Sequence, residues 1–497
     1  MTVTVEKLRR PRIKPEHRAY RTVDGNVRIG SVIHGIGAEI ADPEGWVWTL
    51  VGAMDGTREP AAVVDAVLRA HPGLPGLTDE DTRQAMADLL DAGFVEDAGA
   101  PVPVSGRERV RYSRGVPLLR WMDLGPRATP WDAQLRLLSA RVLLIGVGGT
   151  GGHAAQSLVA SGVGRLHCVD PDVVELSNLN RQPLFRESDL GRPKVEAALG
   201  TLRALNSDVT VTGERREVRG PGDLAELVRS GAPPGVPRPP AVPRPPAVPR
   251  PPAVPRPPAV PRPPGVPGTS ELPGASEPYD LLVLAADRPD DIRRWANRVC
   301  LAAGLPWVDA GYRGPLVTAG VHVPGRGACW ECLRAAEVAR RDLRLAPGQD
   351  EEAASPHLPW NPASAVTAGL SGGLLAHAAL ALLTGVPALD PGFRFGMNLM
   401  LPGDPVLERS PRRPDCPACG DDRPTGGRAG SQAAERNGGP PGEPTGEPPP
   451  ERTGEPAAER TRKPPGEPSA ERTGEPPGGP AGERAEGRSW NRDGGQG

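Results

Sequence analysis

Between Gly146 and Lys194 the chain sets out, in order, groups suited to binding a nucleotide. A glycine loop, Gly146-Val147-Gly148-Gly149-Thr150-Gly151-Gly152, separates the apolar run Val142-Leu143-Leu144-Ile145 from a helix-forming run, Ala154 to Ser161. Glycines at 146, 148, 149 and 151 let backbone N–H groups approach phosphate oxygens, and a helix N-terminus just behind them favours an anion. A second apolar run, Leu166 to Val169, ends at Asp170, where a carboxylate can accept hydrogen bonds from a ribose. Glycine spacing and Asp170 alone fit a nicotinamide dinucleotide too, but that reading leaves Arg181 and Lys194 unexplained.

Six cysteines divide into two kinds. Cys329-Trp330-Glu331-Cys332 and Cys416-Pro417-Ala418-Cys419 are two Cys-x-x-Cys pairs, and four thiolates in two such knuckles suit a closed, structural zinc site. Disulfides are the alternative; a charged amino terminus without an apolar signal core speaks against them and for a cytoplasmic protein. Cys168 and Cys300 lie in apolar stretches and read as buried and inert.

The stretch Asp170-Pro171-Asp172-Val173-Val174-Glu175-Leu176-Ser177-Asn178-Leu179-Asn180-Arg181-Gln182, continued by Gly191-Arg192-Pro193-Lys194, resembles the ThiF–MoeB–HesA family of ubiquitin-activating-like adenylyltransferases. The likeness extends upstream to Arg111-Tyr112-Ser113-Arg114, downstream to Asp287, Arg294 and Asn297, and on to the two cysteine pairs, covering roughly 107–420 apart from one insertion. It implies ATP and magnesium, with a carboxylate attacking the α-phosphate and pyrophosphate leaving. In that scheme Arg181 and Lys194 bind phosphates, Asp170 takes the ribose, and Asn178 places the phosphates or the loop. Asp287, after Leu281 to Ala286, would hold magnesium, while Asp172 is left open between a loop-holding role and the nucleotide. Arg114 would reach the triphosphate of a neighbouring protomer, which implies a homodimer. Two departures stand out. No cysteine occurs between Leu333 and Pro359, where thioester-forming relatives carry one, so the acyl-adenylate is expected to pass to another nucleophile. Ala285-Ala286-Asp287-Arg288-Pro289 replaces the relatives' Thr-Asp-Asn, which bears on rate and metal preference.

These groups need a scaffold, and the expected one is α/β: a Rossmann-like doubly wound sheet of the ubiquitin-activating type carrying the zinc site. A small winged-helix-like α+β domain precedes it and a disordered tail follows. The expected boundaries are 1–105 for the small domain, 106–231 and 269–420 for the adenylyltransferase domain, 232–268 for a proline-rich insertion and 421–497 for the tail. In the small domain Val27-Arg28-Ile29 alternates as a strand, and Val63, Val64, Val67 and Leu68 fall at helical spacing. Thr78 and Asp81 form a capping-box pattern ahead of Met86, Leu89 and Leu90, Gly93 stops that helix, and Phe94-Val95 begins a strand. The arrangement resembles the precursor-recognition domains of enzymes that modify ribosomal peptides, which bind a leader as an added strand; a structural cap or dimerisation element is the other reading.

Five proline-rich hexapeptides at 235–264 favour polyproline II, at about 3.1 Å per residue or roughly 90 Å in all, and read as an expanded surface loop rather than a ligand. With 64 prolines, 63 glycines and 3% aromatic residues, a sizeable part of the 497 residues is not packed core. A net charge of −2 gives no footprint for nucleic acid or an anionic membrane. Ala365 to Val386 is long and uncharged enough to span a bilayer, but its glycines, Ser371 and His377 suit a packed core helix better. The expected partner is thus a precursor peptide or small carrier protein activated at its C-terminal carboxylate. The alternatives are a sulfur-carrier adenylyltransferase of thiamine or molybdopterin type, or a non-catalytic precursor-binding scaffold.

Overall fold

Runs such as Val142-Leu143-Leu144-Ile145 and Leu281-Leu282-Val283-Leu284 have no polar face, so they fold stably only as strands covered on both sides. The computed structural model describes residues 3–232 and 277–420, apart from positions 31, 350, 355, 357 and 359, and places these runs at the centre of one large sheet. The hexapeptides at 235–264 and the tail from 421 lie outside the described residues. The sheet's strands are β1 (Arg141–Ile145), β2 (Arg165–Val169), β3 (Thr210–Glu214), β4 (Leu281–Leu284), β5 (Trp307–Arg313), β6 (Leu316–His322), β7 (Phe393–Asn398) and β8 (Leu401–Arg409). Their order is β8-β7-β6-β5-β4-β1-β2-β3. β3, β2, β1, β4 and β5 run parallel, and β5 to β8 pair antiparallel. The chain winds outward from β1 to β3, then restarts at β4 on β1's other side. Such a reversal opens a crevice at the carboxyl ends of β1 and β4.

Helices α1 (Gly149–Ala160), α2 (Lys194–Leu205), α3 (Pro221–Ser230), α4 (Ile292–Ala303), α5 (Trp330–Arg340) and α6 (Ala365–Thr384) accompany the sheet. Val142 and Leu144 share one core with Ala154, Leu158, Leu202 and Leu375, while Leu143, Leu282 and Leu284 share another with Leu224, Ile292, Ala296 and Trp307. Alternate residues of a strand point to opposite faces, so each central strand feeds both layers. α6 is the one described helix long and apolar enough to cross a membrane. It begins with a Ser364–Thr367 capping box, stops at Gly385 with φ +73°, and buries Leu375, Ala376, Ala378 and Ala379 in the sheet's core. Gly372 lets it approach α1 closely: a Cβ there would meet the His153 Cβ and lie 2.6 Å from the Thr150 carbonyl oxygen.

Ahead of the sheet, Val27–Ile29 is the middle strand of a three-stranded sheet with Tyr20–Arg21 and Ala38–Ile40. Helices Trp46–Ala53, Pro60–Ala70 and Asp79–Asp91 follow, the last with the Thr78–Asp81 capping box formed. Val95–Asp97 pairs antiparallel with Pro11–Ile13, so the chain before residue 20 belongs to this module. Val27, Ile29, Leu50, Val63, Val64, Val67, Met86, Leu90 and Phe94 make its core. Charged groups join it to the segment before β1: Lys14 Nζ donates to the Asp123 carbonyl at 2.7 Å, and Arg120 pairs with Glu16 at 2.7 Å. After α3 the chain leaves at Ala232 and re-enters at Glu277, and Ala232 N–H donates to the Glu277 carbonyl at 2.7 Å. Glu277 also pairs with Arg141 at 3.2 Å and Arg165 at 2.7 Å.

Candidate nucleotide site and metal centre

The glycine loop sits at the reversal between β1 and β4, and two of its glycines are required by close approach. Gly146 has φ +92°, and a Cβ there would lie 3.0 Å from the Ala285 backbone. A Cβ on Gly151 would run into the Gly146 carbonyl. Gly149 faces Ala368 of α6 at 3.0 Å and the Arg181 carbonyl at 3.5 Å, measured from the same hypothetical carbon, and Gly148 directly precedes α1. The loop therefore touches the end of β4, α6 and the Arg181 segment at once.

Asp170 follows β2 and is buried. Its carboxylate accepts from the Val147 N–H at 2.8 Å and the Asp172 N–H at 3.0 Å, so it fixes the glycine loop. Burial pushes its carboxyl above the usual range, opposed by Lys194 and the two amides. Lys194, the first residue of α2, is buried, and its Nζ meets Asp172 Oδ2 at 2.8 Å while the Asp172 carboxylate reaches solvent. Asp172 thus holds Lys194 at the crevice. Asn178 turns inward: its Oδ1 accepts from the Glu175 N–H at 3.1 Å and its carbonyl from the Gln182 N–H at 2.9 Å, so it holds the loop. Arg181 donates through Nη1 to the Ser177 carbonyl at 2.7 Å and to Asn180 at 3.0 Å. Beside it lies Tyr312, whose hydroxyl burial pushes up and Arg181 pulls down.

Asp287 lies just past β4, with its side chain 55% exposed and Oδ1 held by Arg293 Nη2 at 3.0 Å. Its neighbours Ala285 and Ala286 pack against Gly146, which sets Asp287 next to the loop. An exposed carboxylate beside the glycine loop fits magnesium, which takes one or two protein carboxylates plus a substrate's phosphate oxygens. Arg114 is not brought to this crevice. It is exposed at the start of helix Gly115–Met122, and among the described residues no hydrogen bond or ion pair joins it to the loop. What anchors that segment is Tyr112, buried, with its hydroxyl accepting from Asn206 Nδ2 at 3.1 Å.

One position in the sequence comparison moves by a residue. Arg294 points outward and pairs with Asp291 at 2.9 Å, whereas Arg293 reaches Asp287 and also Asp309, at 3.0 Å from its Nε. Helix phase explains this: 293, 296, 297 and 300 share a face of α4, and Ala296, Asn297 and Cys300 are buried. Asp309 and His322, 3.0 Å apart, were not indicated by any local motif, because strand pairing brings them together.

Cys329, Cys332, Cys416 and Cys419 converge, with all four sulfurs within 4.8 Å of one another. The 329–332, 329–416 and 332–419 separations are 3.8, 3.7 and 3.6 Å. Zinc–sulfur bonds of about 2.3 Å give tetrahedral edges of about 3.8 Å, so the set fits zinc with no position left open. Asn297 Nδ2 donates to Cys329 Sγ at 3.6 Å and Asn297 Oδ1 accepts from the Trp330 N–H at 3.2 Å, tying this centre to α4. Cys168 and Cys300 are fully buried, and burial pushes the Cys168 thiol up to about 12 and the Cys300 thiol also upward.

Comparison with known proteins places this geometry. A model described as the ThiF family matches residues 120–230 and 269–418. Adenylyltransferase and sulfurtransferase MOCS3 of Bos taurus is 30% identical over 366 residues, 69% of this chain and 61% of that protein. Molybdopterin-synthase adenylyltransferase of Escherichia coli (strain K12) is 40% identical over 109 residues, 22% of this chain and 41% of that protein. The chain thus spans about three fifths or less of these curated relatives. E. coli MccB, solved with MccA-N7isoAsn, superposes with a TM-score of 0.56 at 20% identity over 83% of this chain and 99% of its own, which shows a shared fold. MccB has also been solved, as the microcin C7 biosynthetic enzyme, in complex with N-formylated MccA.

Proposed function

The chain belongs to the ThiF family, and from that premise we propose that it is an ATP-dependent adenylyltransferase, activating the C-terminal carboxylate of a peptide or small carrier protein. The observation that carries this reading is the convergence of the glycine loop, Lys194, Arg181 and Asp287 on one crevice at the β1–β4 reversal. A carboxylate oxygen forms a bond to the α-phosphorus while the bond from that phosphorus to the bridging oxygen breaks, and pyrophosphate departs with that electron pair. Both reactants are anions, so the site must neutralise phosphate charge and hold the two in line. Loop N–H groups and the α1 N-terminus take the phosphates. Lys194 exchanges Asp172 for phosphate oxygens, and Arg181 exchanges the Ser177 carbonyl and Asn180 for them. Asp287 would hold magnesium, which when bound offsets phosphate charge. Arg114 joins the site from a second copy, which makes the working form a homodimer.

The acyl substrate we favour is a ribosomally made precursor peptide, held by the module before β1. The structural likeness to MccB covers 83% of this chain and so extends beyond the sheet domain into that module, and MccB is a microcin biosynthetic enzyme solved with MccA. A second reading, a sulfur-carrier protein as substrate, is favoured by the molybdopterin-synthase adenylyltransferase relative. Buried Cys168 and Cys300 and the cysteine-free loop after α5 support release of the adenylate to an external or intramolecular nucleophile. ATP–pyrophosphate exchange with magnesium, run with candidate peptides and with a carrier ending in Gly-Gly, tests the proposal. Exchange dependent on one of them, lost in Asp287→Ala while peptide binding persists, is the expected result. Tight peptide binding with no exchange from the unaltered protein would instead make it a scaffold.

A further inference from the structure

A line of buried polar groups runs from Asp287 into the sheet. Arg293 Nη2 donates to Asp287 Oδ1 at 3.0 Å and to the Ala310 carbonyl at 3.3 Å, and Arg293 Nε donates to Asp309 Oδ2 at 3.0 Å. The other oxygen, Asp309 Oδ1, meets His322 Nε2 at 3.0 Å. Asp309 and His322 are 4% and 2% exposed, which rules out a solvated surface pair. His322 stacks on Trp307 with ring centroids 4.3 Å apart. Its Nδ1 is buried without a partner among the described residues, and its Nε2 faces a carboxylate oxygen, which accepts, so Nε2–H donates to Asp309.

The sheet makes room for this pair. β6 sets Gly320 opposite Asp309 and His322 opposite Trp307. A Cβ on Gly320 would meet Asp309 Oδ1 and lie 2.7 Å from His322 Nε2. Gly311 is similarly filled by Arg293 Nη2, 3.1 Å from its hypothetical Cβ. Two glycines on paired strands therefore leave space for a fixed guanidinium and a fixed carboxylate behind the crevice.

Charge gives the arrangement a purpose. With Asp287 alone, Arg293 would neutralise the carboxylate meant for a cation. Shared with Asp309, the guanidinium is already compensated, and Asp287 keeps both a negative charge and a defined orientation. We propose that Asp309 and His322 are positioning residues that lock Arg293 and thereby hold Asp287 as a cation ligand at the nucleotide crevice. The proposal rests on the adenylation reading above.

The test titrates magnesium at fixed ATP, reading nucleotide binding by calorimetry and, separately, kcat and KM of pyrophosphate exchange. Asp309→Asn is expected to raise the magnesium needed for half-maximal binding by about ten-fold or more, the usual effect of losing an outer partner of a metal ligand. It should lower kcat and leave KM for the acyl substrate unchanged. His322→Phe keeps a ring against Trp307 but cannot donate, and should shift magnesium dependence the same way; His322→Gln, whose amide donates, should restore it. If Asp309→Asn does not fold, the two His322 variants decide alone. Magnesium dependence equal to that of the unaltered protein in the Asp309→Asn and His322→Phe variants overturns the positioning role and leaves adenylation standing. An unaltered protein that neither binds magnesium–ATP nor exchanges removes adenylation itself, and the positioning role with it.

Discussion

Gly372→Ala and Gly373→Ala make the same chemical change at adjacent positions of α6, and they are expected to move stability in opposite directions. Gly373 is exposed and nothing lies within 4 Å of an added Cβ. The helix gains the propensity difference, about 1 kcal/mol, unopposed. At Gly372 the methyl would meet the His153 Cβ and lie 2.6 Å from the Thr150 carbonyl oxygen and 3.0 Å from Ala154 N. Carbon contacts are comfortable at about 3.5 Å or more, so α6 and α1 must part by on the order of 1 Å. Two of the three obstacles are backbone atoms, which cannot rotate aside, and overpacking of this kind costs about 3 kcal/mol, the upper end of its range. Set against the propensity gain, Gly372→Ala loses about 2 kcal/mol, and the two variants differ by about 3 kcal/mol. Urea unfolding with a common slope reads this as separated midpoints. Thr150 belongs to the glycine loop and to the first turn of α1, so ATP affinity should fall in Gly372→Ala and stay unchanged in Gly373→Ala. Midpoints moving the same way, or a stabilised Gly372→Ala, would refute the close packing of α6 on α1.

Removing zinc with a chelator, or changing Cys416→Ser, should abolish stoichiometric zinc by mass spectrometry and lower the melting temperature, because the ion's binding energy is folding energy; undiminished zinc in Cys416→Ser would refute the four-cysteine site. His17 is fully buried in the first module, and burial, then the nearby Lys14 cation, hold its imidazole below the ordinary value. Its neutral form is the folded form, so this stability is present above about pH 6.5 and is lost as pH falls towards the folded value. Unfolding midpoints between pH 7.5 and 5.5 should therefore fall more steeply for the unaltered protein than for His17→Leu, and equal slopes would refute the assignment. A Cys168→Ser, Cys300→Ser double variant should retain exchange activity and product release, since neither thiol ionises near neutral pH; a large loss of turnover without a loss of stability would reinstate a cysteine intermediate.

The tight glycine loop and the convergence of the two cysteine pairs were legible in the sequence because each is constrained locally, whereas Asp170, expected at a ribose, has its carboxylate engaged by the Val147 and Asp172 N–H groups. A loop that runs beside a strand end needs glycine, and a tetrahedral ion needs thiolates in close pairs. The Thr78–Asp81 cap and the buried stripe at Val63, Val64 and Val67 were legible for the same reason. What the sequence concealed depends on pairing at a distance. Asp309 meets His322 only because β5 and β6 align Asp309 with Gly320 two residues away from His322. Arg293 and Arg294 look interchangeable until the helix turns one inward and the other to solvent. Pro11–Ile13 is a strand only through its partner Val95–Asp97, and three residues carry no periodicity of their own. Helix Trp46–Ala53 starts at Gly45, φ +78°, and takes its cap from Asp42, three residues before Gly45, whose carboxylate accepts from the Val47 N–H at 2.9 Å and the Trp48 N–H at 3.0 Å, outside the usual capping pattern.

The bridge between Ala232 and Glu277 has a consequence for how this protein can change its length. Glu277 is pinned to Arg141 and Arg165, so the two ends of the intervening stretch of roughly 44 residues, 233–276, meet at a fixed gate by the amino ends of β1 and β2, away from the crevice at the carboxyl ends. Closing a loop costs free energy only as the logarithm of its length, so growing from roughly five residues to roughly 44 adds about 2 kcal/mol. Each added hexapeptide therefore costs little free energy, because Arg141 and Arg165 still hold the re-entry point at Glu277. The same gate is a natural port for an inserted reporter or binding module, carried by an intact fold.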